Sequence, residues 1–341
     1  MMPRDSNTKK KGHMQPSSQI ATIKAYVPAT AVPNQFFEDR FNFPQGSIEA
    51  RTGLRARRRA NSCEYPTEMG VKAAQMVFRE AGIPAQNVDL IIAASCSRDQ
   101  AIPTDAMIYA NRLGIPDVQC LYVDVGCQSF VNALEIADLY IRSGKRKSIL
   151  IVTSEQTSRV IDYDDPSSSI VLGDGAAAAL VVPTSGPSQI EASCIKTEAL
   201  GRNLEVATLK GGGLRYLPDD PHFTPDMKFF RMDGALALRL ASRYLPSVVD
   251  VLLQDADCTA EDIDHIIPHQ VIPRMIRSVQ KKFGIDATKV YINADYGNQA
   301  AATIPIGLAE LVSNGTVSRG DRVLLIGGAT GFTAGGMILI Y

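Results

Sequence analysis

Residues 81–97 read AGIPAQNVDLIIAASCS, and residues 256–272 read ADCTAEDIDHIIPHQVI. At a constant offset, Ala81, Ala85, Val88, Asp89, Ile91 and Ile92 match Ala256, Ala260, Ile263, Asp264, Ile266 and Ile267. The matches continue in order. LGI at 113–115 parallels FGI at 283–285, Gly126-Cys127 parallels Gly297-Asn298, and RSGKRKSILIVTSE from Arg142 parallels SNGTVSRGDRVLLIGGA from Ser313. Cys127 to Gly144 and Asn298 to Gly315 both span 17 residues. An ordered series of this kind is the signature of a duplicated unit. VDLIIAAS and KSILIVTS are unbroken apolar runs, the pattern of strands covered on both faces. Between them, SFVNALEIADLYIRSG places Phe130, Ala133, Leu134, Ala137, Tyr140 and Ile141 at helical spacing, with Gly144 where a C-cap glycine belongs. The expectation is an α/β protein of two homologous halves, each a sheet with its helix layer.

The chain has 341 residues, room for two such halves. Hydrophobic residues at 45%, charged residues at 21% and a net charge of −1 describe a soluble globular protein, with no basic excess to bind nucleic acid or a membrane surface. No apolar run reaches the ~18 residues of a membrane helix. Residues 1–18 are polar, lack the apolar stretch of a secretory signal, and read as a disordered tail. Cys63, Cys96, Cys120, Cys127, Cys194 and Cys258 form no C-x-x-C pair and no Cys/His cluster with ligand spacing. They read as reduced thiols of a cytoplasmic protein that binds no metal.

Duplication gives the functional argument. A pseudo-twofold brings equivalent strand-to-helix corners together, and Cys127 and Asn298 occupy equivalent corners. His269 follows the strand-like DHIIP, where the first half has Ala94. A helix N-terminus carries unpaired N–H groups and about half a positive charge. Cys127 at that corner is therefore expected to have a lowered pKa and to act as a nucleophile, with a backbone N–H aimed at an oxyanion. His265 reads as strand packing, and His222 and His13 as surface residues.

At VDVGCQSF, IIPHQVIPRMI and DYGNQAAATIPIGLAE the chain resembles the β-ketoacyl-acyl carrier protein synthase III family of the thiolase fold. RTGLRARR at 51–58, VLGDGAAAALV at 171–181 and GGATGFTAGG at 327–336 fit that family in the same order, from about residue 19 to the C-terminus. The resemblance implies a thiolase-like, layered α-β-α-β-α core, with halves at 19–184 and 185–341. It implies a catalytic set of Cys127, His269 and Asn298, an oxyanion loop at Thr330 and Gly331, and substrate contacts at Arg51, Ile102 and Arg274. The implied reaction loads an acyl group from coenzyme A or acyl carrier protein onto Cys127. Claisen condensation with a malonyl-type or second acyl thioester follows, and no cofactor is used. A homodimer is implied too, with Ile102 closing the partner's acyl pocket.

Several positions depart from the family pattern. Ser47 replaces a tryptophan that stacks on the coenzyme A adenine, and Pro166 replaces a nucleotide-binding arginine. The usual HQAN reads His269-Gln270-Val271-Ile272, and the usual GGGF reads Ala329-Thr330-Gly331-Phe332. These departures weaken the nucleotide clamp and leave the covalent chemistry intact, pointing to a specialised member in secondary metabolism. Two alternatives share the fold: acyl transfer to a hydroxyl or amine, and a non-catalytic subunit of a heteromeric synthase. A papain-like protease also uses Cys, His and Asn in this order, but its C-G-[SA]-C-[WY] signature is missing.

Overall fold

The computed structural model describes residues 17–270 and 276–341. The sequence-assigned tail therefore lies outside the described residues, except for its last two positions. Ser17 and Ser18 open the first strand and pair with Thr184 and Pro183.

The first half runs β1 (Ser17–Tyr26), α1 (Pro66–Ala81), β2 (Leu90–Ala94), α2 (Asp105–Leu113), β3 (Gln119–Val123), α3 (Ser129–Arg142), β4 (Ile149–Gln156) and β5 (Asp174–Thr184). Its sheet has the order β1-β5-β4-β2-β3, with β4, β2 and β3 parallel and β1 and β5 antiparallel to their neighbours. The second half runs β6 (Gln189–Thr197), α4 (Gly234–Asp255), β7 (His265–Pro268), α5 (Arg277–Phe283), α6 (Thr303–Ser313), β8 (Arg322–Ala329) and β9 (Thr333–Ile340). Its sheet, β6-β9-β8-β7, repeats that order and those directions. Val290 bridges Ile266 in parallel at the place that β3 holds in the first sheet. The repeat seen in the sequence is thus a repeat of topology. Residues 81–97 and 256–272 matched because each leads through a short 3₁₀ turn into the same parallel strand.

The layering follows from the apolar runs. Leu90 and Ile92 of β2 face a central core shared with Phe130 and Leu134 of α3, Ile304 and Leu308 of α6, and Ile267, Val323 and Leu325 of the second sheet. Ile91 and Ala93, one residue out of phase, face an outer core with Met69, Ala73 and Val77 of α1. Ile266, Leu324 and Ile326 likewise turn outward onto Leu240, Leu245 and Val249 of α4. Strands covered on both faces have no polar side to show, so the sequence does not alternate. The result is the expected α-β-α-β-α stack of the thiolase fold, with α3 and α6 as its middle layer. Both middle helices begin next to the corners that carry Cys127 and Asn298.

Among the described residues no helix is long and apolar enough to cross a membrane.

Candidate active site

A cavity of about 870 Å³ opens where the two halves meet. Cys127, His269, Asn298 and Thr330 all line it, together with Glu155 and Cys96. Its apolar wall comes from Val206, Leu209, Phe230, Met232 and Phe332.

Cys127 sits two residues before the first residue of α3, held by a tight turn. Gly126 has φ +58°, and a Cβ there would stand 2.5 Å from Thr330 Oγ1 and 3.2 Å from Thr330 N. Only glycine lets the Cys127 corner approach the Thr330 backbone so closely. In the Ala329-Thr330-Gly331 turn the left-handed residue is Gly331, at φ +63°. Threonine at 330 therefore meets no backbone penalty.

Asn298 is fixed through its backbone, its N–H donating to Val171 O at 2.7 Å and its carbonyl accepting from Gly173 N at 2.9 Å. Its Oδ1 accepts from Ala300 N–H at 2.9 Å and from Thr303 Oγ1 at 3.2 Å. With the oxygen occupied, the amide NH₂ is the end left to donate into the cavity. His269 leaves β7 with its N–H bonded to Ile326 O at 2.7 Å. The next residue, Gln270, exchanges two 2.6 Å hydrogen bonds with the Asn293 backbone. Asn293 Oδ1 in turn accepts from Tyr296 N–H, which ties the histidine corner to the asparagine loop. Burial pushes the His269 imidazole down to about 4, so it is neutral and can donate one hydrogen bond.

The sequence expectation of a lowered Cys127 pKa is overturned. Burial first, then the Glu155 carboxylate, push the thiol up to about 12, although its own backbone N–H pulls the other way. A helix end contributes only about 0.3–1 kcal/mol at typical sites, and for this half-buried thiol beside a carboxylate desolvation outweighs it. The corner is a place where burial wins. Glu155, absent from the sequence reading, lies at the C-terminal end of β4. It accepts the Cys96 N–H at 2.7 Å, the Ser97 N–H at 3.0 Å and the Ser97 hydroxyl at 2.6 Å. Burial nonetheless raises its carboxyl to about 7. A carboxylate ending a buried parallel strand is a signal that could have exposed it, since ligands gather at that edge of α/β sheets.

Arg51 and Ile102 lie elsewhere. Arg51 is exposed, its guanidinium 4.8 Å over the Phe43 ring, and does not line the cavity. Ile102 is 87% exposed and also outside the lining. Arg274, Val271 and Ile272 lie outside the described residues. No group of three or more potential metal ligands occurs among the described residues.

The family profile for 3-oxoacyl-[acyl-carrier-protein (ACP)] synthase III matches residues 123–199, and that for its C-terminal part matches residues 253–341. β-Ketoacyl-[acyl-carrier-protein] synthase III of Aliarcobacter butzleri (strain RM4018) is 32% identical over 92% of this chain and 95% of its own length. The chain belongs to the β-ketoacyl-acyl carrier protein synthase III family. It is an acyltransferase of the condensing type. The enzyme of the same name from Chelativorans sp. (strain BNC1) is 33% identical over 94% of this chain and 98% of its own. Among solved structures, 3-oxoacyl-[acyl-carrier-protein] synthase III from Aquifex aeolicus VF5 superposes with a TM-score of 0.86 at 31% identity, covering 95% of this chain and all of its own. The priming β-ketosynthase of the R1128 polyketide biosynthetic pathway gives 0.88 at 28% identity, covering 96% of each chain.

Proposed function

We propose that this cavity performs a two-stage thioester condensation with Cys127 as nucleophile. The observation that carries the reading is that Cys127, His269 and Asn298 line one cavity, with His269 neutral and the Asn298 NH₂ left to donate. In the first stage Cys127 Sγ attacks the carbonyl of an acyl thioester, and the departing pantetheine thiol leaves with the thiol proton. In the second, a malonyl-type thioester loses CO₂. His269 and Asn298 donate to its thioester oxygen and hold the enolate. The enolate carbon attacks the acyl carbonyl, the C–S bond to Cys127 breaks, the released thiolate takes a proton from solvent, and a β-ketoacyl thioester departs. The Thr330 N–H serves the tetrahedral oxyanion, with Gly331 providing the turn. Every step is redox-neutral and uses no cofactor.

The acyl donors in this reading are coenzyme A or acyl carrier protein thioesters, met in the cytoplasm, with Arg51 and Arg274 as contacts for the carrier. Ser47 and Pro166, where a nucleotide clamp would sit, together with the apolar cavity wall, favour a carrier-protein-bound or longer acyl chain in a specialised pathway. A homodimer is supported by two features. Strand β3 is an unpaired sheet edge, and Ile102 stands exposed outside its own cavity, free to close a partner's. The two units are drawn at 19–184 and 185–341.

The test is intact-protein mass after mixing wild type and Cys127→Ala with acyl thioesters of graded length, on coenzyme A and on carrier protein. An adduct on wild type alone, discharged by a malonyl thioester, is the expected result. An adduct discharged only by alcohols or amines would replace condensation with simple acyl transfer. No adduct on folded protein would overturn the mechanism.

A further inference from the structure

The condensing mechanism leaves unexplained the side chain next to Cys127. Gln128 follows Cys127 at the N-cap position of α3, is fully buried, and has no hydrogen-bond partner among the described residues at either end of its amide. An unpaired buried amide is costly, and in native proteins it points to a function or an unformed bond. His269 Nδ1 is buried and likewise has no partner among the described residues.

The two groups meet at one place. Gly327 and Gly335 face each other across β8 and β9. A Cβ on Gly327 would stand 2.4 Å from His269 Cβ and 2.8 Å from Gln128 Nε2, and one on Gly335 would stand 3.0 Å from Gln128 Oε1. The missing side chains of this glycine pair open a slot in the second sheet. The Gln128 amide, carried on the first half, fills it with its nitrogen end toward the histidine.

We propose that Gln128 is a positioning residue whose amide N–H donates to His269 Nδ1, locking the imidazole with Nε2–H facing the cavity. Neutral histidine has one donor and one acceptor nitrogen, and the bond at one sets the role of the other. A histidine that must donate to a developing enolate needs a donor behind it, and a glutamine supplies one without adding charge. In an empty site such bonds are often open and close when substrate binds. The consequence for the enolate rests on the mechanism proposed above. The Gln128–His269 pairing itself does not.

The experiment uses the full chain labelled with ¹⁵N-imidazole histidine. Its four histidines are assigned with His269→Gln, and spectra are taken free and with a non-hydrolysable acyl-pantetheine. With the ligand bound, wild type is expected to hold His269 as the single Nε2–H tautomer. Gln128→Glu, nearly isosteric, exchanges the donor for an acceptor and should move the proton to Nδ1. Gln128→Leu should leave both tautomers populated. In parallel, both variants should load Cys127 within about twofold of wild type while condensation falls on the order of 100-fold, since a wrong tautomer disables an intact site. An identical His269 tautomer in wild type and both variants would overturn the proposal. A tautomer that responds to Gln128 in a protein that never condenses would uphold this pairing and sink only the condensing mechanism.

Discussion

Thr303 Oγ1 donates a hydrogen bond to Asn298 Oδ1 at 3.2 Å. The same hydroxyl accepts the Gln299 N–H at 3.1 Å, so its single proton is committed to the asparagine. This contact, with that from Ala300 N–H, turns the Asn298 amide so that NH₂ faces the cavity. Thr303→Val keeps the shape and removes the contact. One hydrogen bond of about 1 kcal/mol is worth roughly a fivefold to tenfold change in rate. Condensation should slow by about that factor while loading of Cys127 is unchanged. Single-turnover measurement of the two half-reactions checks this, and equal loss in both would show that Thr303 acts elsewhere.

The thiol of Cys127 gives a second prediction. Pushed up to about 12 by burial and then by the Glu155 carboxylate, it is protonated at neutral pH in the empty site. Alkylation of Cys127 by iodoacetamide, followed on its own peptide, should therefore rise about tenfold per unit from pH 7 to 10 without a plateau. Glu155→Gln removes the charge and should bring the inflection down. A plateau below pH 8 in wild type would restore the thiolate that the helix-end argument expected.

The contrast between what the chain disclosed and what it hid follows from the range of each interaction. The parallel strands at Leu90–Ala94 and His265–Pro268 were legible because continuous apolar burial leaves a continuous apolar run, and duplication wrote it twice. The corners at Cys127 and Asn298 were legible because the duplication places them in register, and His269 because it directly follows a parallel strand. Glu155 was not, because its partners Cys96 and Ser97 lie 59 and 58 positions away and nothing local marks the side chain. The pKa of Cys127 was misjudged for the same reason. The helix end is a local feature, while the burial that outweighs it comes from the closure of both halves around the cavity. The departure from GGGF at Thr330 is tolerated because the positive φ of that turn belongs to Gly331.

Gly297, the residue before Asn298, has φ +79°, and a Cβ there would stand 2.7 Å from Arg57 Cβ and 2.8 Å from Val171 O. Gly315 has a similar φ of +77° and open space around it. Alanine at 315 therefore pays only the left-handed backbone cost, about 1 kcal/mol. Alanine at 297 pays that and must also shift a buried arginine or a backbone carbonyl, for about 2 kcal/mol or more in total. Chemical denaturation of the two variants should show the larger loss at 297, and condensation should fall there alone because Asn298 moves with its neighbour. Equal losses would mean that the loop relaxes freely.

Two buried groups in the cavity make opposite demands on pH. The Glu155 carboxyl is raised from 4.5 to about 7 by burial. The folded state thus holds its proton more tightly than the unfolded chain, and the stability gained is full below pH 4.5 and lost as pH rises through 7. The shift corresponds to roughly 3 kcal/mol at most. The His269 imidazole is lowered from 6.5 to about 4, also by burial. Its contribution is full above pH 6.5 and lost as pH falls toward 4. Between about pH 4.5 and 6.5 the two slopes oppose each other. Denaturation midpoints of Glu155→Gln should therefore climb with pH across this window relative to wild type, and those of His269→Gln should fall. If each variant instead shifts the midpoint by a constant amount at every pH, neither group has a perturbed pKa in the folded protein.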